Sequence, residues 1–443
     1  MFRLLLFWRP HLTRLWWVVL VIGAAPTALS LVLGVPLFWA AAGSMACCAA
    51  LSRRYLSDLL RFCRNTWRFR TVAGEHVVLR YAPELDGNID VEHLLGRGEK
   101  ILAEFSGKFG FPLRRRLVLF LFANGTSIGK TFNAGFGGCA FTHGDAIVLC
   151  ADRQVGGSLD EVLLHELAHL FSARLGELDP PLKGEGLATW LMSSVDGKPI
   201  DFHALVSLLT DRYLFLTWLT NTAWFYTSSN SYYVAGSFTG HLIRRFGWER
   251  YREFFNRAGT KDFEATFGHV YGMSLLAAEH QWREELLERR QTFEPELTRW
   301  IGERSVEAAY QAGHVYRCLQ EADALSRAGQ ASGRVLWYAA ATHLYLGHYQ
   351  DAVSLLAQAI QTEDPWIQAK RSSAWLQLGN CHDLLGQREK AMPAYQQVLS
   401  EPDNWYSPSA TSHREARRYL SQPFTEQDLQ APLQPYAKAA RRR

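Results

Sequence analysis

The sequence predicts an α+β chain in three parts: an apolar helical hairpin at the N-terminus, a body mixing strands with helices, and a helical C-terminal third. Three observations carry that expectation. Two uncharged stretches lie between residues 15 and 51, strand-length apolar runs alternate with helical periodicity between 76 and 190, and helical periodicity alone runs from 315 onward. Of the 443 residues, 48% are hydrophobic and 20% charged, an ordered globular composition that excludes a disordered chain. Net charge is +4, yet the first 70 residues hold nine arginines against the single acid Asp58, so the remainder is mildly acidic. That balance excludes nucleic acid as the main partner and directs the basic end at a membrane surface. The seven cysteines are odd in number, form no CxxC pair and read as unpaired thiols of a reducing compartment.

The hairpin comes first. Leu15 to Leu33 reads LWWVVLVIGAAPTALSLVL, and Val35 to Leu51 reads VPLFWAAAGSMACCAAL. At about 1.5 Å per residue the two cover roughly 28 and 25 Å against a hydrocarbon core of about 30 Å, so they predict transmembrane helices of about 15–33 and 35–51. Pro26 kinks the first, and Gly34-Val35-Pro36 turns the chain. Arg3, Arg9 and Arg14 precede the hairpin, six arginines follow it by Arg70, and the connection is uncharged, so both ends are expected on the cytoplasmic side. The expectation is an integral protein of a bacterial inner membrane, with the lipid bilayer as a partner and the body in the cytoplasm. Leu56, Leu59, Leu60, Cys63 and Trp67 recur at helical spacing among the arginines. They read as a basic helix at the headgroups or as a linker helix packed on the body. Residues 1–70 form this anchor region.

In the body, His76 to Tyr81, Arg115 to Phe122 and Ala146 to Cys150 read as strands and Val91 to Phe109 as a helix. Ser158-Leu159-Asp160-Glu161 is a capping box, and the helix it opens carries His165-Glu166-Leu167-Ala168-His169 before a stop at Gly176. Two histidines four apart project from one helical face and can share a metal, while Glu166 beside them can take a proton from metal-activated water. Chance supplies such a string on the order of 0.03 times in a chain of this length, so the motif is moderately specific. A hydrolytic zinc site needs a third protein ligand. Glu185, in Lys183-Gly184-Glu185-Gly186-Leu187-Ala188, opens a second apolar helix after Pro180-Pro181, and a short loop between the helices aims its carboxylate at the histidines.

These residues resemble the gluzincin metallopeptidases, the HExxH…Glu clan of thermolysin and the aminopeptidase N type, and in particular a small bacterial group whose second motif reads EGLA. Tyr232-Tyr233-Val234-Ala235-Gly236-Ser237-Phe238, Asp262-Phe263 through Phe267, Tyr271-Gly272-Met273 and Trp282 extend the similarity across about residues 75 to 290. The resemblance implies a zincin-like catalytic domain of mixed sheet and helices over 71–300. It implies Zn2+ held by His165, His169 and Glu185, with Glu166 as general base, and hydrolysis of a peptide or protein substrate. It also implies an oxyanion-stabilising tyrosine, for which Tyr233 occupies the matching position and Tyr232 is the alternative. The segment 135–140 resembles the clan's substrate-pairing edge strand, with Gly138, Cys139 and Ala140 small enough to admit a peptide backbone, or it is a glycine-rich surface loop. The chain departs from the clan at Leu182-Lys183, where an aromatic is common, and at Thr189, where thermolysin-like enzymes carry an acid that orients a ligand histidine.

Asn124-Gly125-Thr126-Ser127-Ile128-Gly129-Lys130-Thr131 imitates a phosphate-binding loop, but the first glycine of that pattern is replaced by Asn124, so no nucleotide partner is expected. In residues 301–443, Leu346-Gly347-His348-Tyr349 through Ala359 and Leu385-Gly386-Gln387 through Tyr395 resemble tetratricopeptide repeats 39 residues apart, with Val315 to Ala328 as a degenerate third helix. Such repeats imply a docking surface for a protein partner or a helical cap. The expected function is a membrane-anchored zinc metallopeptidase. The alternative is a catalytically weak peptidase-like membrane scaffold that recruits a partner through the repeats.

Overall fold

The apolar runs marked as strands by the sequence assemble into one five-stranded sheet. The computed structural model describes residues 57–58, 60–87, 89–132, 137–142, 144–151, 158–210, 213–368, 370–401 and 407–429. The strands are β1 (Arg70–Ala73), β2 (Val77–Tyr81), β3 (Leu117–Phe122), β4 (Gly138–Phe141) and β5 (Ala146–Cys150), in spatial order β1-β2-β3-β5-β4. The three central strands run parallel, and β1 and β4 are antiparallel to their neighbours at the two ends. Between β2 and β3 runs α1 (Val91–Phe109), capped by the Asp90 carboxylate accepting from the His93 amide at 2.8 Å and ended by Gly110 in the left-handed region. α1 rides close over the sheet at Gly98, whose missing side chain leaves Val77 and Leu119 in contact range. On the opposite face Phe62 packs with Phe120, Phe122, Ile128 and Val148. Strand β1, at the sheet's end, is an element the sequence reading does not contain.

The phosphate-loop imitation folds as α2 (Gly125–Phe132), with Asn124 as its cap: the carboxamide oxygen accepts from the Ser127 amide at 2.8 Å. From there the unit is helical. α3 (Leu159–Ser172) starts with both halves of the capping box, Glu161 amide to Ser158 Oγ and Ser158 amide to Glu161 Oε2. α3 buries Phe171 edge-on against Phe105 of α1. α4 (Pro181–Met192) follows, then a small ribbon of β6 (Ser194–Val195) and β7 (Lys198–Pro199), then α5 (Ile200–Leu209). Two one-turn helices, Leu216–Leu219 and Thr222–Phe225, lead into α6 (Asn230–Phe246), α7 (Trp248–Arg257), α8 (Phe263–Tyr271) and α9 (Leu275–Glu288). By their contacts, residues up to Ala204 and Leu214–Trp282 form one compact unit, and Leu205–Tyr213 with the chain from Arg283 form another.

The second unit stacks α10 (Glu296–Gln311), α11 (Val315–Arg327), α12 (Gly333–Tyr345), α13 (Tyr349–Gln361), α14 (Arg371–Leu384), α15 (Arg388–Ser400) and α16 (Ser407–Ser421). Its core runs from Val306, Cys318 and Tyr338 through Leu356 and Cys381 to Tyr395 and Tyr419. The helical repeats expected from the sequence are present.

Two expectations are corrected. The chain is mostly helical with a small mixed sheet, because the strands are only four to six residues long while helices run almost unbroken from Leu159 to Leu429. Among the described residues no helix is long and apolar enough to cross a membrane. The transmembrane hairpin, the integral-membrane placement with a cytoplasmic body and the lipid bilayer as a partner therefore have no structural support. The hairpin residues 15–51 themselves lie outside the described residues.

α4 is held from two sides. Against α6 it approaches so closely at Gly186 that a Cβ there would lie 2.7 Å from Thr239 Oγ1 and 2.9 Å from the Ala235 carbonyl oxygen. Against α7 it is tied by the fully buried Lys183, whose ammonium donates to the Phe255 carbonyl at 3.2 Å and to the Ala258 carbonyl, groups at the C-terminal end of α7 that lack helical partners. Burial lowers the Lys183 pKa to about 8, opposed by Glu177, Asp179 and Asp262.

Gly186→Ala is expected to lower the stability of the fold by about 1–3 kcal/mol through overpacking, read as a fall in the urea midpoint. Gly96→Ala, in open space on α1, should leave that midpoint unchanged or raise it. Lys183→Met should destabilise by about 1–3 kcal/mol through its stranded carbonyls. The native Lys183 deprotonates near pH 8, the unfolded lysine near pH 10.4. The unfolded chain therefore holds more protons between these values, and this group's contribution makes stability rise with pH there. Unfolding midpoints from pH 7.5 to 9.5 should climb more steeply in the wild type than in Lys183→Met.

Candidate metal centre

Helix α3 sets His165 and His169 one turn apart, with ring centroids 4.7 Å apart and nearly perpendicular planes. The loop through Pro180 returns α4 against α3 and delivers Glu185 between them. His165 Nε2 lies 3.0 Å and His169 Nε2 3.2 Å from Glu185 Oε2, and the two Nε2 atoms are 3.1 Å apart. Glu185 owes its position to its neighbours: Gly184 passes so close to the Leu178 carbonyl, and Gly186 to α6, that neither site admits a side chain without displacement. All three groups are largely buried, at 12–15% side-chain exposure.

This arrangement suits a cation better than protons. Each imidazole nitrogen faces both the same carboxylate oxygen and the other nitrogen, so two N–H groups would oppose one another across the cluster. Two imidazoles and one carboxylate are the donor set that zinc takes with an open fourth position, and Nε2 and Oε2 atoms about 3 Å apart suit ligand bonds of roughly 2.0–2.2 Å. These three are one of two groups of potential metal-ligating side chains among the described residues. Burial pushes Glu185 up, but His169 and His165 outweigh it and hold the carboxyl well below its usual range. Burial pulls His169 down, and the Glu185 carboxylate outweighs that and raises it. His169 Nδ1 is buried with no hydrogen-bond partner among the described residues, and so is the Thr189 hydroxyl. The carboxylate that would orient a ligand imidazole, missing from the sequence at Thr189, is not supplied at His169 by any of the described residues.

Glu166 lies on α3 beneath β4 and is 7% exposed. Burial raises its carboxyl above the ordinary range; His165, His169 and the Ala140 amide pull the other way. β4 presses on it at Gly138, where a Cβ would lie 2.7 Å from Glu166 Oε1 and 2.8 Å from its Cγ. Of the predicted edge-strand residues, Gly138, Cys139 and Ala140 are in β4, at the end of the strand order, and 135–136 lie outside the described residues. The Cys139 thiol is pushed up to about 12 by burial and by Glu166 and Glu185, so it is neutral at physiological pH.

The tyrosines divide. Tyr233 stacks on His203 at 4.7 Å and packs with Met192, Val195 and Ile200. Tyr232 instead sets its ring 5.9 Å from that of His165. On a helix, one residue rotates a side chain by about 100°, so only one of two neighbours can face a given site. Sequence reasoning missed Tyr226, whose hydroxyl donates to Glu185 Oε1 at 2.8 Å. The available signal was the aromatic run from Tyr213 to Tyr226. Within it Trp218 and Trp224 are half exposed and lie 5.7 Å apart. Burial and the neighbouring carboxylates push the Tyr226 and Tyr232 phenols above their usual range, so both remain proton donors.

No curated protein matches the chain. A family model described as a tetratricopeptide repeat matches residues 373–404, the α14–α15 hairpin. The chain thus carries a tetratricopeptide repeat in its second unit, a module type that serves protein–protein interaction.

Proposed function

We propose that the first unit is a zinc-dependent peptidase and that the repeat-bearing unit docks a protein partner. The observation that carries the first half is the convergence of His165 Nε2, His169 Nε2 and Glu185 Oε2 within 3.2 Å beside the buried acid Glu166. Zinc held there would supply Lewis acidity to a peptide carbonyl and to water. The chain's own groups do the rest. Glu166, buried beside the histidines, accepts the water proton and returns it to the leaving nitrogen. Its aim is kept by the Ala140 amide and by the close pass of Gly138. β4, last in the strand order among the described residues, offers its edge and small side chains to an extended peptide. Tyr232, beside His165, is placed to donate to the oxyanion, and Tyr226 holds the second oxygen of Glu185. The second half rests on the tetratricopeptide match. A peptidase-like unit without activity, serving partner recruitment alone, is the competing reading that this match also favours.

Metal analysis separates the two. Purified protein should hold one zinc equivalent at this site, and zinc content should fall by that equivalent on His165→Ala and on Glu185→Ala. Glu166→Gln should retain it and lose about 10²–10⁴-fold in cleavage of quenched-fluorescent peptide mixtures. Unchanged cleavage in Glu166→Gln would reject the peptidase reading, as would failure of the intact chain to hold zinc at this site.

A further expectation separates the tyrosines. Tyr232→Phe should lower kcat about 10²–10³-fold with zinc content intact. Tyr233→Phe should change kcat less than about tenfold on that scale. Tyr226→Phe should weaken zinc affinity about 10–100-fold, as loss of a ligand-orienting partner does. The reverse order for Tyr232 and Tyr233 would restore Tyr233 as the oxyanion donor.

A further inference from the structure

In the second unit the turns that end α12 and α14 share one backbone form and differ in chemistry. At the end of α12, Gly347 takes a φ of +80°, the His348 amide donates to the His343 carbonyl at 2.9 Å, and the two side chains meet with their Nδ1 atoms 3.3 Å apart. Thirty-nine residues on, at the end of α14, Gly386 takes a φ of +70°, the Gln387 amide donates to the His382 carbonyl at 2.8 Å, and His382 Nδ1 meets the Gln387 carboxamide oxygen at 3.1 Å. In the second copy the contact is an ordinary hydrogen bond, because an imidazole N–H faces an acceptor. In the first copy a second imidazole replaces the amide. The third position differs as well: Asp351 stands in the first turn of α13, with Oδ2 3.9 Å from His343 Nδ1, where the second copy has Lys390.

We infer that His343, His348 and Asp351 form a second metal site, for a divalent first-row transition ion such as zinc, nickel or copper, at the turn between α12 and α13. The ligand atoms of all three lie within 4.8 Å of one another, and His348 and Asp351 are exposed, so an ion reaches them from solvent and keeps water in its remaining positions. Two imidazoles with one carboxylate select this class over calcium or magnesium, which prefer oxygen donors throughout. Asp323 of α11 adds a further negative charge facing His343. The second copy lacks both the second imidazole and the acid, and its Lys390 places a positive charge at the position that Asp351 fills. A bound ion would join the last turn of α12 to the first turn of α13. The site is independent of the peptidase reading.

The repeat supplies its own control, since glutamine already closes this turn at 387. Equilibrium dialysis of the full chain against zinc should give one equivalent less in His348→Gln than in the wild type, with circular dichroism and thermal midpoint in EDTA unchanged. In a His165→Ala chain, which removes the other site, one equivalent should remain, and adding His348→Gln or Asp351→Lys should remove it. Equal zinc content in wild type and His348→Gln overturns the inference, whatever the His165→Ala chain does. So does a His165→Ala chain that binds none, or one whose zinc survives His348→Gln, which marks adventitious binding elsewhere.

Discussion

The close approach of α4 to α6 is the constraint on which the first unit depends. Helices ordinarily pack with axes 8–10 Å apart, separated by side chains. Here glycines remove the spacers: Gly186 faces the Ala235 carbonyl, and Gly236 reciprocates by meeting Thr189. α4 is thereby pinned along its length, and Lys183 fixes its first turn by bonding the carbonyls that end α7. With α3 on its other flank, α4 has no freedom to turn Glu185 away from the histidines. The Glu185 geometry follows from backbone contacts made one residue to either side of it.

That rigidity carries an electrostatic cost which the site itself explains. Two carboxylates and two imidazoles are buried together, and their pKa values are driven apart: Glu185 is held well below the usual carboxylate range, whereas Glu166 is raised. The proposed division of roles, Glu185 on a cation and Glu166 on a proton, rests on this divergence together with the geometry. Tyr226 holds the second oxygen of Glu185, whereas His169 Nδ1 has no hydrogen-bond partner among the described residues.

What was legible in the sequence follows from how locally each feature is encoded. His165, Glu166 and His169 lie within one helical turn and a half, so spacing alone gives their common face, and the capping box at Ser158 gives the helix. Glu185 needed the turn at Pro180 and a second helix, yet only sixteen residues separate it from His169. Tyr226 comes from a loop whose path is decided by aromatic packing, Phe225 on Tyr232 among others, and no periodicity encodes that. Lys183 looked like a departure from the resembled pattern because its role depends on α7, more than seventy residues away. Residues 15–51, whose composition reads as a membrane hairpin, lie outside the described residues, among which no helix is long and apolar enough to cross a membrane. The helical excess after Leu159 was underestimated because a buried helix such as α5 lacks the polar stripe that marks an amphipathic one.

In the second unit the matched repeat is too small to fold by itself, since about three such hairpins are needed to bury a continuous core. The helices before it solve this. α10 and α11 bury Val306, Ala309, Cys318 and Ala322 against Val335 and Tyr338 of α12, so they act as a degenerate first hairpin. α16 closes the far end by laying Ala416 and Tyr419 on Tyr395. Between α10 and α12 a polar anchor sets the register. Glu307 accepts from the Tyr338 hydroxyl at 3.0 Å and pairs with Arg304 and Arg334 at 2.9 Å each, and the arginines hold its carboxyl below the usual range against the effect of burial. A slip of α12 by one turn would strand that buried charge, a penalty of several kcal/mol, whereas apolar contacts alone would tolerate the slip. The stack is thus specified by one ionic cluster at the first hairpin and by tight packing at the last, where Gly379 lets the Tyr395 ring lie against the α14 backbone. The α12–α13 turn with its histidines lies between these two fixed points.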